Sequence, residues 1–166
     1  MNQAQSVTSF SMINAAGDEV LYDDFSGNSD CKYRGPTVKY LWKMGVISCE
    51  RPTPNNDGMW VLPDASGFLV CENAKRSDNL LLLDAFGKER MRLGVPWQMT
   101  GCTDPRSGEY PSRFIGLTTT WTHPITDELG KLGLHVYVAG SGLWETWYFE
   151  FDWQAGKFLW CRPMRP

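Results

Sequence analysis

Residues 80–93, which read Leu-Leu-Leu-Leu-Asp-Ala-Phe-Gly-Lys-Glu-Arg-Met-Arg-Leu, decide the fold class. The first four form a short apolar run, which is typical of a strand buried on both faces. Asp84 can accept a hydrogen bond from the backbone two residues further on, and Gly87 tolerates the positive φ of a tight turn. After the turn, Met91 and Leu93 alternate with arginines, as in a strand with one buried face. The stretch therefore predicts an antiparallel β-hairpin.

The same kind of turn recurs at three other places in the chain. It begins at Asn14, at Asp64 and, one residue longer, at Asp152, and each time a glycine and a strand-like segment follow. We predict that the glycine supplies the positive φ in every one of these turns. Eight Trp, eight Phe and six Tyr together with 16 Gly and 10 Pro favour strands separated by turns. No long segment shows an apolar period of 3.6 residues, so we expect an all-β protein with little or no helix.

The predicted strands sort into three sets of about four, within residues 7–49, 60–97 and 114–162. The segments between these sets are too short to require separate domains, and 166 residues suit one domain of ordinary size. We therefore predict a single β-rich domain over residues 1–166. Its antiparallel hairpins form a sandwich, an open barrel or a compact propeller-like arrangement.

Residues 63–93 resemble one blade of a β-propeller built from aspartate-turn-glycine hairpins. The likeness is carried by residues 64–70, Asp-Ala-Ser-Gly-Phe-Leu-Val, and by residues 79–88, which run from Asn79 to Lys88. Residues 14–22 and 147–162 share it more weakly. Since propellers typically close with 4–8 blades, three four-stranded units are too few. The resemblance then implies an incomplete propeller that is completed by association.

Composition excludes several classes of protein. The chain has 19 acidic and 16 basic residues, for a net charge of −3, which argues against a non-specific nucleic-acid binder. No apolar run approaches the roughly 20 residues that span a bilayer. The N-terminal residues lack the charged and apolar regions of a signal peptide. The five cysteines include no Cys-x-x-Cys pair, so we expect reduced thiols, no zinc site and a cytoplasmic protein.

The sequence contains no recognisable catalytic motif. Three Gly-Lys pairs lack the Ser or Thr of a P-loop, and residues 140–142 fall short of a nucleophile elbow. A histidine-based catalytic site would use His123 or His135, the two histidines of the chain, with distant carboxylates. Acidic residues between 18 and 30 do not match a calcium loop, and a solvated edge, calcium or a basic partner would each explain them. We expect a non-enzyme without a metal or cofactor.

The highest density of aromatic residues lies at residues 144–160. Trp147, Phe149 and Phe151 share one face of a predicted strand and are expected in the core. The remaining rings cannot all occupy that face, so we expect Tyr148 and Trp153 to be exposed. Exposed aromatic side chains next to carboxylates are typical of a protein-binding patch.

By type, the chain also resembles the small acidic immunity proteins with which bacteria neutralise toxins. No residue motif carries this likeness, so no functional residues follow from it. We predict a protein-binding domain that occludes the active site of a toxin or enzyme with a basic surface, without nucleic-acid or membrane partners. The alternative is a carbohydrate- or small-ligand-binding module in which tryptophans stack on the ligand. The predicted contact residues are Asp23, Asp24, Trp144, Glu145, Tyr148, Glu150 and Trp153; the alternative would use Trp144 and Trp153.

Overall fold

A computed structural model describes residues 6–21, 35–101, 113–117, 119–120, 123–124, 132–139 and 144–164. Between residues 116 and 146 the description covers the backbone alone. The strands are β1 (Ser9–Asn14), β2 (Glu19–Leu21), β3 (Thr37–Met44), β4 (Ile47–Pro52), β5 (Gly58–Val61), β6 (Gly67–Cys71), β7 (Leu80–Asp84), β8 (Glu89–Leu93), β9 (Arg113–Leu117), β10 (Thr119–Thr120), β11 (His123–Pro124), β12 (Leu132–Ala139), β13 (Trp144–Asp152) and β14 (Lys157–Met164). A 3-10 helix covers Trp97–Thr100.

The all-β prediction is confirmed. The described strands form three four-stranded sheets, with orders β2-β1-β3-β4, β5-β6-β7-β8 and β14-β13-β12-β9, and a two-stranded ribbon, β10-β11. The paired strands run antiparallel, and the three sheets follow the three predicted sets of strands. The propeller-like arrangement and its sandwich and barrel alternatives stay predictions.

The chain divides into two compact units. The first comprises Met1–Asn73 and Leu81–Met91, and the second comprises Ala74–Leu80 and Arg92–Pro166. The chain therefore crosses between the units three times, once on each side of the short segment 74–80 and once after residue 91. That the whole chain is one domain stays a prediction.

The core of the first unit is built from large aromatic residues of two sheets. Tyr40 and Trp42 of β3 and Phe68 of β6 belong to one buried cluster, in which the rings of Trp42 and Phe68 meet edge-to-face at 4.9 Å between centroids. The Trp42 Nε1–H donates to the Ala85 carbonyl at 2.8 Å, and the Tyr40 hydroxyl donates to the Asp57 carbonyl at 2.7 Å. Both polar atoms are thus satisfied inside the core, as buried Tyr and Trp require.

The leucine run forms the strand that its composition predicted. β6 and β7 are the two central strands of their sheet, and each of the four leucines of β7 is at most 2% exposed. Leu81 and Leu83 join the aromatic cluster, so the alternate leucines lie on the opposite, equally buried face. This confirms a strand buried on both faces.

The turns at Asn14 and Asp84 have the same structure. In each, the side-chain Oδ1 accepts hydrogen bonds of 2.9 Å from the backbone amides two and four residues further on. Each ends at a glycine with positive φ, 86° at Gly17 and 79° at Gly87. The sequence prediction is therefore confirmed for both turns.

The turn at Asp64 differs from this pattern. Asp64 Oδ1 accepts a hydrogen bond from the Ser66 amide at 3.0 Å, but the residue with positive φ is Ala65, at 57°. The prediction that Gly67 supplies this conformation is wrong. Gly67 meets a different requirement, since a Cβ there would collide with the carbonyl oxygen of Leu83 on the neighbouring strand. The close approach of two central strands explains this glycine.

The second unit has a core of phenylalanines on one face of its sheet. Phe149 and Phe151 of β13 are fully buried. Phe158 of β14 contacts Phe151 with ring centroids 5.0 Å apart and stacks on Phe114 of β9 at 5.8 Å. The buried Asn79 amide exchanges two hydrogen bonds of 2.9 Å with the backbone of Phe114. These contacts hold β9, β13 and β14 around one core and leave the opposite face of β13 and β14 free to carry other side chains.

Candidate protein-binding surface

A β-bulge determines which side chains of β14 face outward. Glu150 of β13 pairs with Trp160, but the next residue, Phe151, pairs with Phe158. Leu159 is therefore the extra residue of a bulge, and it breaks the alternation of β14. As a result Phe158 lies on the core face with Phe151, while Trp160 lies on the outer face with Glu150.

The outer face carries a compact group of side chains, Tyr148, Glu150, Trp160 and Arg162, which we term the outer aromatic face. Tyr148 pairs directly with Arg162, and Glu150 with Trp160. The Tyr148 and Trp160 rings lie 5.2 Å apart between centroids and are inclined by 36°. The Arg162 Cζ atom lies over the Tyr148 ring, 5.4 Å from its centroid, which is within cation–π range. The group is therefore one continuous contact surface across two strands.

The four residues of this surface differ in exposure. Trp160 is 42% exposed and Arg162 is also exposed, whereas Tyr148 and Glu150 are half-buried. Tyr148 comes from an interior strand of the sheet and the two exposed residues come from the edge strand. The edge strand of the sheet thus presents a large ring and a cation to solvent.

Arg162 has no salt bridge within the described part of the chain. Its cationic group contacts the Tyr148 ring instead. Trp, Tyr and Arg are the residue types most enriched at the energetic centres of protein interfaces. Here the Tyr148 ring contacts both Trp160 and Arg162. The arrangement is suited to binding another macromolecule.

The structure brings together two of the predicted contact residues, Tyr148 and Glu150. Asp23 and Asp24 lie outside the described residues. Trp144 and Glu145 begin β13, where they pair with Ala139 and Val138, and their side chains are outside the description.

The prediction that Trp153 is exposed is wrong, because its side chain is only 4% exposed. The alternation that buries Phe149 and Phe151 on the core face continues one step beyond the end of β13 and buries Trp153 as well. A buried indole cannot stack on a sugar ring. Trp153 therefore gives no support to the carbohydrate-binding alternative, and it does not belong to the outer aromatic face.

Sequence reasoning missed the two exposed members of the face, Trp160 and Arg162. Strict alternation along β14 places Phe158, Trp160 and Arg162 on one face, and Phe158 belongs to the core. The bulge at Leu159 places Phe158 on one face and Trp160 and Arg162 on the other. The sequence pattern of β14 does not reveal this bulge.

The two histidines lie on separate strands. His123 pairs with Thr120 in the β10–β11 ribbon, and His135 lies opposite Tyr148 in the backbone register of β12 and β13. Among the described residues, no group of three or more His, Cys, Asp or Glu side chains is placed to hold a metal ion. No helix in the described ranges is long and apolar enough to cross a membrane.

Comparison with known proteins gives a likeness of fold. Neither the protein-family models nor the curated proteins contain a match to this chain. Among solved structures, the chain is similar to one in a structure described as Tne2 in complex with Tni2, with a TM-score of 0.64 and 11% sequence identity. The alignment covers 96% of this chain and 99% of that chain. This chain shares that all-β fold. The neighbouring chain belongs to a complex of two proteins.

Proposed function

We propose that the protein is an immunity-type inhibitor, which binds a toxin or enzyme and occludes its active site in the bacterial cytoplasm. The observation that carries this proposal is the outer aromatic face, where the Tyr148 ring contacts both Trp160 and Arg162 on a four-stranded sheet. The fold shared with a chain from a two-protein complex is consistent with it. The mechanism needs no catalysis by this chain.

The proposed inhibition depends on rigidity. An inhibitor that is ordered before binding loses little side-chain and loop entropy when it docks. Tyr148 is half-buried and lies in a strand with neighbours on both sides, so the centre of the face is fixed. Trp160 then supplies exposed apolar area that becomes buried in the complex, and aromatic anchors of this kind mainly lower the dissociation rate.

Overall charge suggests the character of the partner. The net charge of −3 and the predicted contact residues Asp23, Asp24 and Glu145 favour a partner with a basic surface around its active site. Complementary charge would accelerate association and make it sensitive to salt. These three residues remain proposed contacts.

Affinity capture with a matched pair of variants tests the proposal. The tagged full chain, its Trp160→Ala variant and its Phe86→Ala variant are each incubated with lysate of the native cell, and retained proteins are identified by mass spectrometry. Phe86 is 54% exposed in the first unit and serves as the control for loss of an exposed ring. The proposal predicts one stoichiometric protein that the parent chain and Phe86→Ala retain and that Trp160→Ala loses.

The captured protein must also be inhibited. Its enzymatic or toxic activity is expected to fall when one equivalent of the parent chain is added, and to persist with Trp160→Ala. Retention of the same protein at the same level by Trp160→Ala, or full activity of the captured protein in the complex, contradicts the proposal.

A further inference from the structure

We propose that the outer aromatic face receives a carboxylate side chain of the partner, which binds Arg162 beside Trp160. This inference rests on the proposed function and adds the chemistry of the central contact. It is independent of the basic surface expected around the partner's active site, because it concerns one side chain at one point of the interface.

The first argument is the state of Arg162. Its guanidinium group is exposed, lies over the Tyr148 ring, and forms no salt bridge within the described ranges. The ring attracts the positive charge but accepts none of the strong N–H hydrogen bonds that a guanidinium offers. A carboxylate accepts two of them at once in a planar, two-pronged geometry. Arg162 is thus positioned by the ring while its donors remain available.

The second argument is the position of Glu150. It pairs with Trp160, two residues along the strand from the Tyr148–Arg162 pair, and this step corresponds to about 7 Å. The acidic residue thus lies at one end of the face and the cation of Arg162 at the other. An incoming carboxylate is attracted to the Arg162 end.

The third argument is the exposed ring of Trp160. When a partner covers this ring, water is removed from the neighbourhood of Arg162, and an ion pair there becomes stronger than it is on an open surface. The fitting partner segment therefore carries Asp or Glu next to an apolar side chain. The aliphatic neighbour covers Trp160 and the carboxylate reaches Arg162.

Peptide titration of the full chain tests the inference without the partner in hand. Three acetylated, amidated peptides, Ala-Glu-Leu-Ala, Ala-Gln-Leu-Ala and Ala-Lys-Leu-Ala, are added while the backbone amide signals of Tyr148 and Arg162 and the indole signal of Trp160 are followed by NMR. We expect the glutamate peptide to shift these signals with an affinity at least about threefold higher than the glutamine peptide, as an exposed ion pair allows. The lysine peptide should be the weakest.

Two variants of Arg162 distinguish the effect of its positive charge from the effect of its two-pronged hydrogen-bonding geometry. Arg162→Gln should reduce the affinity for the glutamate peptide to that for the glutamine peptide. Arg162→Lys should keep only part of the preference, because it retains the charge and loses the two-pronged geometry. Arg90→Gln, which removes an exposed arginine of β8 in the first unit, is the control and should leave the preference unchanged. A single cooperative thermal transition, well above the temperature of the titration, shows that each variant is folded.

The outcomes distinguish this inference from the proposed function. Equal affinities for the three peptides, preference for the lysine peptide, or an unaffected Arg162→Gln variant overturns the carboxylate contact. If one of these results accompanies a captured partner that depends on Trp160, the inhibitor function stands and the carboxylate contact does not. If the glutamate preference is found but the capture fails, the carboxylate contact stands and the inhibitor function does not.

Discussion

Two groups of aromatic side chains behave differently in this molecule. In the first unit, the rings of Trp42 and Phe68 are at most 3% exposed, and the Trp42 indole donates to a backbone carbonyl. On the outer aromatic face, Trp160 is 42% exposed and its neighbour Tyr148 carries a cation over its ring. The density of aromatic residues along the sequence does not distinguish a buried ring from an exposed one. Strand register and the hydrogen-bond partners of the polar atoms distinguish them.

The largest difference between the two groups should appear when one ring is removed from each. Phe68→Ala removes a ring with 0% exposure that contacts both Phe10 and Trp42. We expect it to lower the free energy of unfolding by about 3–5 kcal/mol. Trp160→Ala should lower it less, because 42% of this residue is already exposed to solvent in the folded chain. Urea unfolding of both variants measures the difference, and equal losses would place Trp160 in the core.

A smaller change compares the two indoles directly. Trp42→Phe keeps a ring in the core but removes the donor to Ala85, leaving a buried carbonyl unpaired. The expected loss in the free energy of unfolding is about 1–3 kcal/mol. Trp160→Phe is the matched control and should cost no more than about 0.5 kcal/mol. If the two substitutions lower the free energy of unfolding equally, the hydrogen bond from Trp42 to Ala85 does not contribute to stability.

The turns that end at Gly17 and Gly87 have the same backbone structure but different surroundings. A Cβ at Gly87 would lie 2.9 Å from the Trp42 ring, whereas no atom of the described residues lies within 4 Å of one at Gly17. Both alanine variants bear the strain of positive φ, about 1–2 kcal/mol. Gly87→Ala should lower the melting temperature more than Gly17→Ala, since the Trp42 ring must also shift. Identical melting temperatures would show that this ring moves at no cost.

The smallest expected effect belongs to the cation on the outer face. Arg162→Gln removes the contact with the Tyr148 ring, which is worth about 0.5–1 kcal/mol at an exposed site. The same variant is expected to lose the preference for the glutamate peptide over the glutamine peptide. Chemical unfolding and peptide titration on one sample compare the two effects. A large loss of stability would mean that Arg162 is a structural residue.

The fold was predictable because local chemistry and tertiary structure agree. Asn14 and Asp84 each form the turn that their side chains favour, and the leucine run is buried on both faces. Gly67 shows where this agreement ends, because the sequence does not reveal that a neighbouring strand passes too close for a Cβ.

The binding surface was predictable only in part. Alternation placed Tyr148 and Glu150 on one face of β13. It also places Trp153 on the face of Phe149 and Phe151, so the expectation that Trp153 is exposed departed from the alternation that the structure continues. Alternation fails at Trp160, where the bulge at Leu159 reverses the face. A bulge is decided by pairing with another strand, and the sequence of β14 alone does not show it.

Growth of the native cell tests most directly the claim that the outer aromatic face neutralises a partner. The gene is deleted and replaced by the parent chain, by Phe86→Ala, or by the double variant Trp160→Ala and Arg162→Gln, with expression and folding checked in each strain. We predict that deletion impairs growth under conditions in which the partner is produced, and that the parent chain and Phe86→Ala restore it. The double variant should not. Full restoration of growth by the folded double variant would contradict the account.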